Sequence, residues 1–248
     1  MPFVELQSVD STNNYARSLV KDGSAQDGMA IFAHEQTAGK GQRGNSWQSE
    51  KDSSIALSIL VSPLTLGIKD QFQLNACVAV SLYRFFSAYA GEETTIKWPN
   101  DLYWQDRKAG GILIENIIGS VPGKSSTSAW KWSIIGIGIN INETKFPSSL
   151  PNPVSLRQIT GKTFHPLQLA KELCKELNDG YAQLSGGHYQ KIYEQYNEHL
   201  YKKNQLVKLK KGNRVFEASI LAVTKAGKLL TKHSIEEEFD FGEVQWMT

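Results

Sequence analysis

The sequence predicts a mixed α and β fold in two units, a large one over residues 1–200 and a small all-β one over residues 201–248. Three observations carry this. Strand-like and helix-like stretches alternate irregularly up to about residue 200, an apolar-striped segment at 68–90 reads as a long helix, and from Tyr201 onward the pattern changes to short alternating runs.

The elements follow in order. Asp10 or Ser11 can cap a helix that runs through Val20. Residues 29–35 and 55–61 read as strands, the second with clean period-two alternation. In "IKDQFQLNACVAVSLYRFFSAYA" (68–90), Phe72, Ala76, Ala79, Val80, Tyr83 and Phe86 step along one helical stripe, interrupted only by Asn75. Three strands are expected at 94–98, 111–118 and 130–141, the last two joined by a hairpin loop, "GSVPGKSSTSA". Two helices at 165–184 and 187–201 complete the large unit, and the tail supplies four or five short strands.

Composition narrows the function classes. A formal charge of +2 with 40% hydrophobic residues gives no reason for a nucleic-acid or membrane partner. Glu5 and Asp10 stand where a signal peptide needs a basic start and an apolar run. The weakly charged stretch at 53–68 is serine-laced and too short to span a bilayer, so a cytoplasmic location is expected. Cys77 and Cys174 lie far apart in helix-like segments and read as two reduced thiols. The histidines and cysteines show no zinc spacing.

The segment "EQTAGKGQRGNSW" (35–47) contains GKGQRG, a match to the GxGxxG pattern of several nucleotide-binding folds. A dinucleotide site needs those glycines to open a helix and an acidic residue about 20 positions on; here a strand follows, and "ILVSPL" (59–64) has no carboxylate. "DFG" at 240–242 has no HRD partner, and "PGKSS" at 122–126 departs from the phosphate-loop spacing because Gly119 is one residue too close. The loop from Gln36 to Ser49 nevertheless holds no acidic residue, carries Lys40 and Arg43, and places Gly39, Gly41 and Gly44 where backbone amides can wrap an anion.

Four further segments stand in order around it: "STNNYA" (11–16), "KWPNDLY" (97–103), "RKAGGILIE" (107–115) and "IGIGININ" (135–142). Together with the Gly-rich loop this set resembles the biotin protein ligase family over nearly the whole chain. The resemblance implies an α+β catalytic domain over 1–200, with a mixed β-sheet flanked by helices like that of lipoate ligases and class II synthetases. It also implies a small C-terminal SH3-like β-barrel over 201–248. It implies that biotin and ATP form biotinyl-5′-AMP with Mg²⁺, and that biotin then passes to a lysine of a biotin carboxyl carrier protein or domain of a carboxylase. The enzyme is expected to be a monomer or weak homodimer. Many bacterial members begin with a helix-turn-helix domain; Ser11 to Asn13 sit too near the start for one, so the ligase-only type without DNA binding is expected.

Site roles are carried over by matching motifs. Lys108 matches the lysine bridging the biotin carboxylate and the α-phosphate, with Arg43 and Asp101 beside it in the catalytic set and Asp101 as the candidate for Mg²⁺ or for orienting Lys108. Ser11, Thr12, Asn13 and Gln36 match positions for the ureido head of biotin. Gly39, Lys40, Gly41 and Gln42 lie along biotin and its activated carboxyl, where Lys40 and Arg43 also serve the adenylate. Trp47 matches the tryptophan sheltering adenine and Asn140 an adenylate-side asparagine; Gly110 and Gly111 let the strand approach biotin, while Trp98 and Pro99 are structural. The familiar loop reads GRGRRGRxW, whereas this chain has Lys40, Gln42 and Asn45 at three of its arginines. Two other classes are open: a lipoate ligase or octanoyl transferase, the latter needing a nucleophilic cysteine near these motifs, and a non-enzymatic biotin-sensing regulator, for which "KLKKGNR" (208–214) is the only dense basic run.

Overall fold

The computed structural model describes residues 2–63, 66–120 and 128–247; most of the loop expected at 119–129, with PGKSS inside it, lies outside these residues. Seven strands form one sheet in the order β1-β2-β3-β7-β6-β5-β4. β1 (Phe3–Leu6) and β2 (Ala30–Ala33) are parallel because α1 (Thr12–Lys21) crosses between them, and the remaining pairs are antiparallel. β3 (Ser54–Val61), β6 (Arg107–Ser120) and β7 (Ser128–Asn140) form its centre.

Alternation decides what each face does. On β3 and β7, Ile55, Leu57, Ile59, Ile135, Ile137 and Ile139 join the large core beneath α2 (Gln71–Ala90) and α4 (Pro166–Ser185). On the opposite face Ile31, Leu60 and Ile134 pack with Ala16 of α1. All eight residues of β3 are buried because both faces are covered. The "IGIGIN" pattern therefore puts isoleucine toward the helices and glycine toward the other side.

The strand expected at 94–98 ends at Lys97: β4 (Thr94–Lys97) gives way to a cis Trp98–Pro99 bond and β5 (Asp101–Trp104) returns beside it. A short α3 (Leu156–Thr160), capped by Ser155 and by Gly161 at φ 73°, precedes α4. The last helix, α5 (Tyr189–Glu198), is shorter than the expected 187–201, since the amides of Ile96 and Tyr201 bond to His199 and Ile96 carbonyls and draw the chain to β4.

The tail forms a separate five-stranded antiparallel sheet, ordered β11-β10-β9-β8-β12, from β8 (Leu206–Lys211), β9 (Arg214–Val223), β10 (Leu229–Lys232), β11 (Glu236–Phe239) and β12 (Gln245–Met247). No closed barrel is found among the described residues. Its Leu209, Ile220, Val223 and Phe239 belong to the same core as the helices. The buried Asn197 amide fixes the join, donating to the Val223 carbonyl at 3.1 Å and accepting from the Val223 amide at 2.7 Å. No described helix is long and apolar enough to cross a membrane.

Candidate active site

On the sheet face away from α2, the register aligns Lys97, Asp101, Gly111 and Gly138 across four adjacent strands. All four line a cleft of ≈ 330 Å³. The two glycines make its floor, where added side chains would crowd their neighbours, Gly138 far more than Gly111. A Cβ on Gly138 would lie 2.5 Å from the Trp47 indole, and one on Gly111 would lie 3.2 Å from Asp101 Oδ1 and 3.5 Å from Lys108 Nζ. Two residues along β7, a Cβ on Gly136 would collide with the Asn13 side chain.

Lys108 reaches this face through a β-bulge. Leu102 pairs with Gly110 but Tyr103 pairs with Lys108, which leaves Ala109 unpaired. Lys108 and Gly111, three residues apart, would otherwise face opposite sides of the sheet. The bulge turns the Lys108 ammonium onto the cleft face, 2.7 Å from Asp101 Oδ1. Backbone bonds from Lys108 to Asn152 and Val154 hold it there.

One end of the cleft is neutral and polar. The Thr12 amide and hydroxyl donate to Gln36 Oε1 at 2.8 and 3.1 Å. The buried Ser58 hydroxyl lies 2.7 Å from Thr12 Oγ1 and 2.6 Å from Asn13 Oδ1, while Asn13 Nδ2 donates to Glu115 at 2.8 Å. Arg17 neutralises Glu115 at 2.6 Å. Ser11 occupies the N-cap position of α1, but its side chain makes no capping hydrogen bond. Sequence reasoning missed Ser58, Glu115 and Arg17; the serine set among the apolar residues of "ALSILV" was the available signal.

The Gly-rich loop is a narrow hairpin, not a helix opening. Trp47 N donates to Gly39 O at 2.9 Å and Gly41 N to Asn45 O at 2.7 Å, with Arg43 (φ 55°) and Gly44 (φ 80°) at the tip. Lys40 Nζ is tied to Asn14 Oδ1 at 2.5 Å, and Gln42 Nε2 reaches the Ile112 carbonyl at 3.3 Å. The Arg43 guanidinium rests 4.4 Å over the Phe241 ring, in space that Gly242 leaves free. The "DFG" of the tail is thus a seat for the loop arginine. The Trp47 indole roofs Gly138, and its buried N–H has no partner among the described residues.

Of the expected site residues, Ser11, Thr12, Asn13, Gln36, Lys40, Gly41, Gln42, Arg43, Trp47, Asp101, Lys108 and Gly111 line this one cleft. Gly39, Gly110 and Asn140 do not. Gly39 packs behind the loop on the Trp47 carbonyl. Asn140 is buried and donates to the carbonyls of Val154 at 3.1 Å and Lys108 at 3.5 Å, so it braces the Lys108 backbone. Asp101 is the one carboxylate among the lining residues, and no described cluster of three His, Cys, Asp or Glu residues can hold a metal by itself. Phe241, Val244 and Trp246 bring the C-terminal sheet into the cleft wall.

The chain is 33% identical over 147 residues to the bifunctional ligase/repressor BirA of Escherichia coli, covering 59% of this chain and 43% of that protein. It is 32% identical over 170 residues to the biotin--[acetyl-CoA-carboxylase] ligase of Paracoccus denitrificans, covering 65% of each. The match therefore spans less than two thirds of either relative's length. Among solved structures, the biotin protein ligase from Aquifex aeolicus in complex with biotin and ATP has the same fold, with a TM-score of 0.80 at 22% identity over 99% of this chain and 98% of that one. A model of the biotin/lipoate A/B protein ligase family matches residues 5–129, half of the chain and the part that carries α1, the hairpin loop, the bulged Lys108 and Asp101, and the chain belongs to that family.

Proposed function

We propose that this protein is an ATP-dependent biotin protein ligase. The observation that carries the reading is the polarity of the cleft: a neutral hydrogen-bonding cluster at one end, a cationic reaction centre at the other, and a side-chain-free floor between. Thr12, Asn13 and Gln36 present amides and hydroxyls suited to a ureido edge, and the buried Ser58 hydroxyl holds Thr12 and Asn13 from behind. At the far end the biotin carboxylate would attack the α-phosphate of ATP, with pyrophosphate leaving. Two unit charges about 4 Å apart at an effective dielectric of about 20 repel by about 4 kcal/mol. Lys108, placed by its bulge, offsets that repulsion, and Arg43 can leave Phe241 to add a second cation. In the second step a neutral lysine amine of a carrier protein attacks the acyl carbon and AMP leaves.

Asp101 suits Mg²⁺, a hard cation that one carboxylate shares with nucleotide phosphates and water. Bound there, it would neutralise phosphate charge. The partner in this reading is a biotin carboxyl carrier protein or domain, and the catalytic unit is residues 1–200. Residues 201–248 form the counterpart of the family's SH3-like barrel and lend the cleft one wall.

The thiols speak against an acyl-cysteine transferase. Cys77 and Cys174 are buried in α2 and α4, outside the cleft, and burial pushes both up to about 12. Within the basic run at 208–214, Lys208 pairs with Glu217 at 4.0 Å and Lys211 with Glu237 and Glu243 at 3.6 and 3.8 Å. Transfer of labelled biotin, compared with labelled lipoate, to an apo-carrier domain tests the assignment. Biotin transfer is expected, and transfer of lipoate alone would overturn it.

A further inference from the structure

Lys97, the last residue of β4, is an unusual lysine: it is 8% exposed and lines the cleft one strand from Asp101. Its Nζ donates to Tyr103 Oη at 3.0 Å and lies 4.4, 5.1 and 5.3 Å from the ring centroids of Tyr103, Trp246 and Tyr201. No carboxylate lies within ion-pair distance of it among the described residues. The two nearby acids are engaged elsewhere, Asp101 by Lys108 and Asp106 by Lys202, each at 2.7 Å. The charged and titratable groups around it are Asp101 and Tyr103 on β5, Asp106 in the β5–β6 turn, Lys108 on β6, and Tyr201 and Lys202 after α5.

Desolvating an ammonium without a counter-ion costs folding free energy, which three ring faces offset only in part. Burial pushes Lys97 down to about 8; Asp101 and Asp106 oppose that fall and Lys108 adds to it. One of its three N–H groups has a protein acceptor among the described residues. Such a group is a cation held ready for an anion that comes from outside the chain.

We propose that Lys97 is a further phosphate-binding cation of the cleft, held in position by Trp246 of the C-terminal sheet and completed by the phosphate oxygens of the nucleotide. This rests on the ATP-dependent reading above. It also gives the tail a chemical role, since β12 supplies one face of the cage.

Calorimetric titration with ATP, adenosine and biotin in turn reads the contact directly. Lys97→Met should bind ATP about tenfold more weakly, while biotin and adenosine bind as in the wild type. Lys97→Arg should keep ATP affinity, which a purely structural role does not predict. Equal ATP affinity in wild type and Lys97→Met, or an equal loss for ATP and adenosine, overturns the proposal. A wild type that binds biotin but no ATP at all overturns the ligase reading, and this proposal with it.

Discussion

Replacing Gly138 by alanine sets a methyl group against the Trp47 indole, with three ring carbons at 2.5, 2.7 and 2.8 Å. Ordinary contacts begin near 3.5 Å, so something must move by almost an ångström. β7 cannot, because β3 and β6 hold it on both sides at this position. The indole belongs to a hairpin loop joined to itself by few hydrogen bonds, so the loop yields. Overpacking of this kind costs about 1–3 kcal/mol. That cost falls on the closed loop, and 1.4 kcal/mol of it is a factor of about ten in affinity. Gly138→Ala should therefore weaken ATP binding about tenfold. Biotin binding without nucleotide should change by less than about twofold, since the Thr12, Asn13 and Ser58 cluster sits over Gly136, two residues away. Calorimetric titration with each ligand separates the two effects. Unchanged ATP affinity, or an equal loss for both ligands in a folded variant, would refute the view of Trp47 as a roof over the nucleotide end.

Three other perturbations give distinct readouts. Lys108→Ala should slow single-turnover adenylate formation by roughly 10²–10³ while sparing ATP affinity, the usual cost of losing one preorganised charge contact; near-normal adenylation removes Lys108 from the reaction. Gln42→Arg should slow dissociation of preformed biotinyl-5′-AMP about tenfold, because a charge-assisted bond to the adenylate replaces the weak Gln42 bond to the Ile112 carbonyl. Identical dissociation rates in the two proteins would sink this lid argument. Burial pushes the Glu143 carboxyl up to about 8 from an ordinary 4.5, with one oxygen unpartnered among the described residues. Between those two values the folded state keeps a proton that the unfolded state loses, so stability falls as pH rises through that window. Glu143→Gln should match the wild type near pH 5 and exceed it by up to about 3 kcal/mol near pH 7.5 in urea melts, whereas parallel pH profiles would contradict the buried neutral acid.

Much of the site was legible because local patterns encode it. The isoleucine–glycine alternation of 135–140 announces a strand with one packed face and one bare face, and the acid-free, glycine-rich loop at 36–49 stands out as the segment that lines the cleft. What stayed hidden depends on register and on distant contacts. The period of two places Lys108 and Gly111 on opposite faces, and only the bulge at Ala109 reverses this. Asn140, expected beside the adenylate, turns instead to two backbone carbonyls. β1 and β5 are four residues each, too short for periodicity to stand out. The alternation of the tail revealed its strands, but not that Phe241 would seat Arg43 or Trp246 would cage Lys97, contacts that close over more than a hundred residues of chain.

The central claim is that the cleft joins biotin to ATP. Release of pyrophosphate by the purified protein, followed with biotin and ATP together and with each omitted, tests it most directly. Release is expected only when both are present, with little when lipoate replaces biotin and a fall of at least about a hundredfold in Lys108→Ala. Release that ignores biotin, or that lipoate supports as well as biotin does, would contradict it.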